Sequence, residues 1–256
     1  MASTLKTALV TGAAKRIGRV IALDLARAGW AVGVHYNRSS ADADAVVDEI
    51  LRAGGKAAAI KADILDEGET SRLVDAAARA LGPLGCLVNN ASLFELDEWD
   101  TVTEASWSAH MMVNLRAPFV LSQAFARQLP AGTQGCIVNL IDERVWNVTP
   151  HFVSYTVSKS GLWTLTRTLA LALAPRVRVN AVGPGPALPS VHQTPEQFAA
   201  QAARMPLGRG TTPEEIAAAV RFLLDAPSIT GQMLALDGGQ HLGWAHPPAG
   251  DVAPND

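Results

Sequence analysis

Short apolar runs alternate with longer stretches whose apolar positions recur every three to four residues. The short runs at residues 7–11, 31–36, 57–61, 86–89, 136–141, 178–182 and 233–236 are apolar throughout rather than alternating, which predicts strands covered on both faces. Between the first two, residues 16–28 place Ile17, Ile21 and Leu25 on one face and stop at Gly29, which predicts a helix. Helices are also expected at 41–53, closed by Gly54-Gly55, and at 67–81, ended by Gly82-Pro83. A single long helix is expected over 106–128, and another over 153–173, ended by Pro175. Shorter helices near 195–203 and 213–224 follow a Pro/Gly-rich loop that begins at Gly183. Strands separated by helical segments imply right-handed crossovers. The expected class is α/β, a doubly wound parallel sheet flanked by helices on both faces.

A chain of 256 residues accommodates one large domain of this kind and does not require two. It contains no internal repeat, no low-complexity block and no interdomain linker. Hydrophobic residues at 48% and charged residues at 18% suit a globular core. A net charge of −3 invites neither nucleic acid nor an anionic membrane surface. No apolar run approaches the roughly 20 residues that cross a bilayer. Residues 1–6 run directly into the first strand, so no signal peptide is expected and a cytoplasmic location follows. Cys86 and Cys136 each open an apolar run and lack a second ligand at metal spacing; buried free thiols and no metal are expected. Residues 246–256, with three prolines and two acids, are expected to be a flexible tail beyond a domain of residues 1–245.

The first strand leads into Thr11-Gly12-Ala13-Ala14-Lys15-Arg16-Ile17-Gly18, which opens the first helix. Gly12 permits a tight turn and Gly18 permits close packing of helix on strand. The free backbone N–H groups at the helix start can hold a diphosphate. Lys15 and Arg16 add positive charge. The second strand ends His35-Tyr36-Asn37-Arg38-Ser39, without the acid that an NAD site usually offers to the ribose diol. Arg38 and Ser39 suit a 2′-phosphate instead, so NADP(H) is the expected cofactor; the other reading of Arg38 is a solvated surface charge. Asp63, followed by Ile64, either accepts from an adenine amino group or caps the next helix. Asn90, Ala91 and Ser92 leave the fourth strand at its carboxyl end, where ligands bind in such sheets.

Tyr155 and Lys159 stand four apart and share one helix face. An ammonium beside a phenol favours phenolate and lowers the tyrosine pKa toward the range of a working proton donor. With a dinucleotide turn upstream and Asp142 thirteen residues before the tyrosine, the pattern points to hydride transfer coupled to proton delivery.

These residues, with Asn114, Asn180, Pro184-Gly185 and Asp237-Gly238-Gly239, resemble the short-chain dehydrogenase/reductase family over about residues 6–242. The resemblance implies a Rossmann-type sheet of seven parallel strands and usually a homotetramer. It implies cofactor contacts from Gly12 to Gly18, from Pro184 and Gly185, and from Tyr155 and Lys159. It implies that Asn114 is a helix-kink residue holding a water that connects the lysine to solvent. Two departures stand out: Arg16 replaces a glycine of the family turn, and Asp142 replaces the catalytic serine. Both look like the pteridine reductase branch, as do Ser92 and Phe94 after Asn-Asn-Ala; His35-Tyr36, Arg38-Ser39 and Met205-Pro206-Leu207 fit it more loosely.

That branch implies reduction of dihydropterins or dihydrofolate by NADPH. Phe94 would stack on a flat ring, while Ser92, Asp142 and Arg16 would meet its donor–acceptor edge, with the proton delivered by Tyr155 or Asp142. The bland readings are loop packing for Phe94, a diphosphate contact alone for Arg16, and a strand-end turn residue for Asp142. A carboxylate at 142 disfavours ordinary ketone reduction unless it is protonated, because it repels a developing alkoxide. The alternatives are a carbonyl reductase of 3-oxoacyl thioesters or sugar alcohols, and a non-catalytic NADP-binding regulator. Residues 186–209 are the expected substrate lid, with His192 read as solvated. Trp146, Trp163, Trp244 and His241 line either the pocket or a subunit contact.

Overall fold

The computed structural model describes residues 3–190 and 193–243, so His192, Trp244 and the tail 246–256 lie outside the described residues. Seven strands form one parallel sheet: β2 (Thr7–Val10), β3 (Ala31–Tyr36), β4 (Lys56–Lys61), β5 (Cys86–Asn89), β6 (Thr133–Leu140), β7 (Val177–Pro184) and β8 (Met233–Leu236), in the order β4-β3-β2-β5-β6-β7-β8. A two-residue strand, β1 (Ser3–Thr4), pairs in parallel with the start of β6. The chain runs outward from β2 through β3 to β4, then returns to the other side of β2 with β5. That reversal opens a crevice at the carboxyl ends of β2 and β5.

Alternation along each strand feeds two cores. Ala8 and Val10 of β2 pack with Ile21 and Leu25 of α1 (Arg16–Arg27), with α2 (Ser40–Arg52) and with α8 (Pro213–Asp225). Leu9 faces the opposite layer, with Leu73 of α3 (Glu67–Leu81) and Phe125 of α5 (Ala117–Gln128). Both Cys86 and Cys136 are buried free thiols.

Four of the eight α-helices described start at a side-chain cap. Thr194 and Thr212 make capping boxes ahead of α7 (Pro195–Ala203) and α8, each with proline in the first turn. Asp66 Oδ1 accepts from Glu69 N at 2.9 Å and caps α3, which removes the capping alternative for Asp63. The long helix expected over 106–128 is divided. After α4 (Glu104–Met111) comes a wide turn of π type at Met112–Arg116, and then α5. Asn114 lies in that turn and is buried. Its side chain bonds Leu93 N and Leu93 O across the layer and Ser158 Oγ of α6 (Val153–Ala172), contacts that a regular turn would aim elsewhere.

Candidate active site

The ends of β2, β5, β6 and β7, with helix α6, supply the crevice. At the end of β2, Gly12 has φ +62° and Arg16 has φ +51°, a left-handed conformation that disfavours a side chain. This explains why a glycine commonly stands at the position of Arg16. A Cβ on Gly18 would come 2.2 Å from Gly12 O and 2.5 Å from Asn90 Nδ2, so helix α1 abuts the turn with no space between. The turn is pinned to the end of β5: Asn90 Nδ2 donates to Thr11 O (2.8 Å) and Gly12 O (3.2 Å), and Thr11 Oγ1 accepts from Asn90 N (2.9 Å) and Ala91 N (3.0 Å). A glycine cradle at a helix start, at the switch point of a parallel sheet, fits a dinucleotide diphosphate.

His35, expected among the cofactor contacts, lies beneath the turn instead. Its ring is buried; Nδ1 accepts from Gly12 N at 2.9 Å and Nε2 donates to Ala62 O at 3.1 Å. Burial lowers its pKa to about 4, which keeps this bonding pattern neutral. Tyr36, Asn37 and Ser39 are half-buried, Arg38 is exposed, and Ser39 stands at the start of α2 without a side-chain cap bond. Lys15 pairs with Asp42 at 3.0 Å on the surface. Asp63 is half-buried and holds its own turn through Leu65 N, while Ile64 is buried.

A crevice of about 230 Å³ is lined by Arg16, Ile17, Asn90, Ser92, Phe94, Asp142, Tyr155, Lys159, Pro184 and Gly185, all named from the sequence. Asp142 stands just past β6, and Tyr155 Oη donates to its Oδ2 at 2.8 Å. Lys159 Nζ donates to Leu140 O at 2.8 Å and lies 5.7 Å from the Tyr155 ring centre. The electrostatics correct one expectation: the Tyr155 phenol is pushed up, not down. Burial dominates, and Asp142 adds to it both as a charge and as acceptor of the phenol proton, which together outweigh the opposing charge of Arg144. Lys159 is lowered to about 8 by the same burial. Asn114 bonds Ser92 Oγ (3.1 Å) and Ser158 but no lysine, so in this structure it sets the loop after β5.

Helix α6 begins at Phe152 with φ +57° and no cap of its own. Buried Asp97 serves instead, accepting from Ser154 N at 3.1 Å and from Ser154 Oγ, while His110 Nδ1 donates to Ser154 Oγ at 2.8 Å. This network places Tyr155 at the first turn, and no local pattern announces it because its members, Asp97, His110 and Ser154, lie far apart in the chain. Phe94 stacks on Phe152 (4.4 Å, 11°) and meets Tyr155 edge-on (4.7 Å, 76°). Arg144 covers both phenylalanine rings at 5.5 and 4.9 Å. Glu143, Arg144, Phe198 and Gln240 also line the crevice and were missed; adjacency to Asp142 was the available signal for the first two.

Described residues of the segment expected to be the lid also line this space. Arg16 Nη2 donates to Pro189 O at 2.9 Å, and Ala187, Leu188, Ser190, Gln193, Phe198 and Gln201 face the crevice. Trp146 packs edge-on against Trp163 (6.1 Å) and His241 (5.2 Å), a cluster separate from the crevice lining.

Glu143, raised to about 8 mainly by burial, and Lys159, lowered to about 8, are neutral acid and ammonium respectively at pH 7. Both lose a proton as pH rises through 8. The expected kcat/KM profile is level at neutral pH and falls on the alkaline side around 8. A profile still level at pH 10 would show that neither group matters to turnover.

The sheet reversal, the glycine cradle and the Tyr155–Lys159 pair together define a dinucleotide-dependent oxidoreductase. The family model described as Enoyl-(Acyl carrier protein) reductase matches residues 12–241, and the chain belongs to the short-chain dehydrogenase/reductase family. Among solved structures it is 47% identical to FolM Alternative dihydrofolate reductase 1 from Brucella suis in complex with NADP, with TM-score 0.92 and coverage of 99% of this chain and 100% of that one. The Brucella canis counterpart, complexed with NADP, is also 47% identical, with TM-score 0.91 over 96% and 97% of the two chains. A 3-oxoacyl-(acyl-carrier-protein) reductase of Synechocystis sp. is 35% identical over 243 residues, 93% of this chain and 98% of that protein.

Proposed function

We propose that this enzyme, an NADP-dependent short-chain reductase, reduces dihydropterins or dihydrofolate to the tetrahydro form. One observation carries the reading: the Asp142 carboxylate accepts the Tyr155 proton at 2.8 Å, where the family pattern has a serine. A carboxylate stands against a developing alkoxide on a ketone, whereas a ring N–H can donate to it. The Brucella dihydrofolate reductases, similar over nearly the whole chain, support the same substrate class.

The cofactor, when bound, supplies a hydride. The turn from Gly12 to Gly18 would hold its diphosphate, Arg38 and Ser39 its 2′-phosphate, and Lys159 its nicotinamide ribose. Tyr155 keeps its proton until the substrate nitrogen gains an electron pair, because burial and Asp142 both favour the neutral phenol. The Lys159 ammonium then counters the phenolate left behind. Arg16, Ser92 and Phe94 face the substrate. In this reading residues 1–245 work as one reductase domain with the lid at 186–209, in a cytoplasmic homotetramer.

A second reading, reduction of a 3-oxoacyl thioester, is favoured by the Synechocystis relative. The two separate by NADPH absorbance decay with dihydrobiopterin or dihydrofolate against an acetoacetyl thioester. Asp142→Ser is expected to lower pterin turnover at least about tenfold while sparing or raising thioester turnover. Pterin turnover that Asp142→Ser leaves intact would remove the carboxylate from the mechanism.

A further inference from the structure

Tyr155 stands third from the start of α6, in the turn whose backbone N–H groups have no partner inside the helix. The position of the phenol therefore depends on what holds that turn from outside. Phe152, just before the helix, is left-handed at φ +57° and buried, a conformation that a bulky side chain disfavours and that neighbours must impose. Those neighbours come from the loop after β5. Asp97 O accepts from Val153 N at 3.2 Å, Asp97 Oδ1 from Ser154 N at 3.1 Å, and Asp97 Oδ2 from Ser154 Oγ. On the other side of Phe152, Glu98 Oε1 holds His151 Nδ1 at 2.8 Å, and the Phe94 ring lies flat on the Phe152 ring. His110 of α4 fixes the arrangement from behind. Its Nε2 accepts from Glu95 N at 3.3 Å, and its Nδ1 donates to Ser106 O at 2.9 Å and to Ser154 Oγ at 2.8 Å. Asp97, His110 and Ser154 are all buried, so solvent does not compete for these bonds.

We propose that Asp97 is a positioning residue for proton delivery: it seats the first turn of α6 so that the Tyr155 hydroxyl meets Asp142. The acceptor of the phenol proton is held separately. Asp142 Oδ1 accepts from Arg144 N at 2.9 Å, on the turn after β6 rather than on α6. A shift of the α6 start therefore acts directly on the 2.8 Å contact between Tyr155 Oη and Asp142 Oδ2. Lys159 lies a turn further along α6, where N–H groups find partners within the helix, and its Nζ is tied to Leu140 O. The loop thus governs the phenol more than the lysine. Its acceptor atoms matter here rather than its charge, since asparagine caps a helix about as well as aspartate. This inference rests on the reading of Tyr155 as proton donor and holds for either substrate class.

The test is a double-mutant cycle of Asp97→Ala with Tyr155→Phe. The readout is single-turnover decay of NADPH absorbance with dihydrobiopterin, or with an acetoacetyl thioester if the parent reduces only that. Asp97→Ala is expected to lower the rate about 10- to 100-fold in the parent, the cost of a donor misplaced by about an ångström. In the Tyr155→Phe background the same change is expected to cost less than about twofold, and NADPH affinity by fluorescence titration to stay within about twofold in both. Asp97→Asn, which keeps an acceptor for Ser154 N, is expected to stay within about threefold of the parent. Should Asp97→Ala not fold, Ser154→Ala runs through the same cycle, with a loss of about threefold in the parent and none beside Tyr155→Phe. Equal losses in both backgrounds would show a merely structural role and overturn the inference. So would an Asp97→Ala rate within about twofold of the parent's, or an Asp97→Asn loss as large as that of Asp97→Ala, which would assign the effect to charge. A parent that reduces the thioester but not dihydrobiopterin overturns the proposed function alone, and the cycle is then read on the thioester.

Discussion

Tyr155→Phe is expected to lower kcat by about 10²- to 10⁴-fold, the usual contribution of a positioned proton donor, while NADPH still binds. The substitution removes one oxygen and little else. The ring keeps its burial and its edge contact with Phe94 at 4.7 Å, so the wall of the crevice persists. What disappears is the hydroxyl, whose oxygen lies 2.8 Å from Asp142 Oδ2 and which donates its hydrogen bond there. Hydride arrival at the substrate would then leave a nitrogen anion in a buried site with no donor from α6. Single-turnover decay of NADPH absorbance isolates this step from cofactor binding. A Tyr155→Phe enzyme that keeps more than a tenth of parental kcat would assign proton delivery to Asp142 or water instead.

Gly18→Ala is expected to weaken NADPH binding by at least about tenfold and to destabilise the fold by roughly 1–3 kcal/mol, the common cost of an inserted methyl in a packed site. The new Cβ would meet Gly12 O at 2.2 Å and Asn90 Nδ2 at 2.5 Å. Neither neighbour can yield alone. Gly12 N is tied to the His35 ring, and Asn90 Nδ2 is tied to Thr11 O and Gly12 O, so a shift in either spreads to the whole turn. Fluorescence titration with NADPH and a urea unfolding curve measure the two effects separately. Unchanged affinity would mean that the turn tolerates a more open helix and that its close packing is not what shapes the diphosphate site.

How much of this was legible beforehand differs by residue. The seven strands and the flanking helices follow from local periodicity and caps, because a strand covered on both faces must be apolar throughout and Thr212 must answer the free N–H groups of α8 wherever that helix packs. The crevice members named from motifs, from Arg16 and Asn90 to Asp142, Tyr155 and Lys159, were legible because each sits at a fixed offset from a strand end or on one helix face. Their energetics were not. The phenol was expected to be lowered by its lysine, yet desolvation and the carboxylate raise it, and burial depends on how α6 seats against β6 and β7.

The chain by itself determined what local rules can reach: where strands and helices run, which residues close each strand end, and that a phenol and an amine share a face. Folding in three dimensions decided the rest. The wide turn at Asn114, the cap that Asp97 lends to α6, and the meeting of Gln240 with Glu143 and Arg144 all join residues distant in sequence. Each depends on solvent being excluded from one enclosed space, and exclusion of solvent is a property of the packed molecule that no short window of sequence contains.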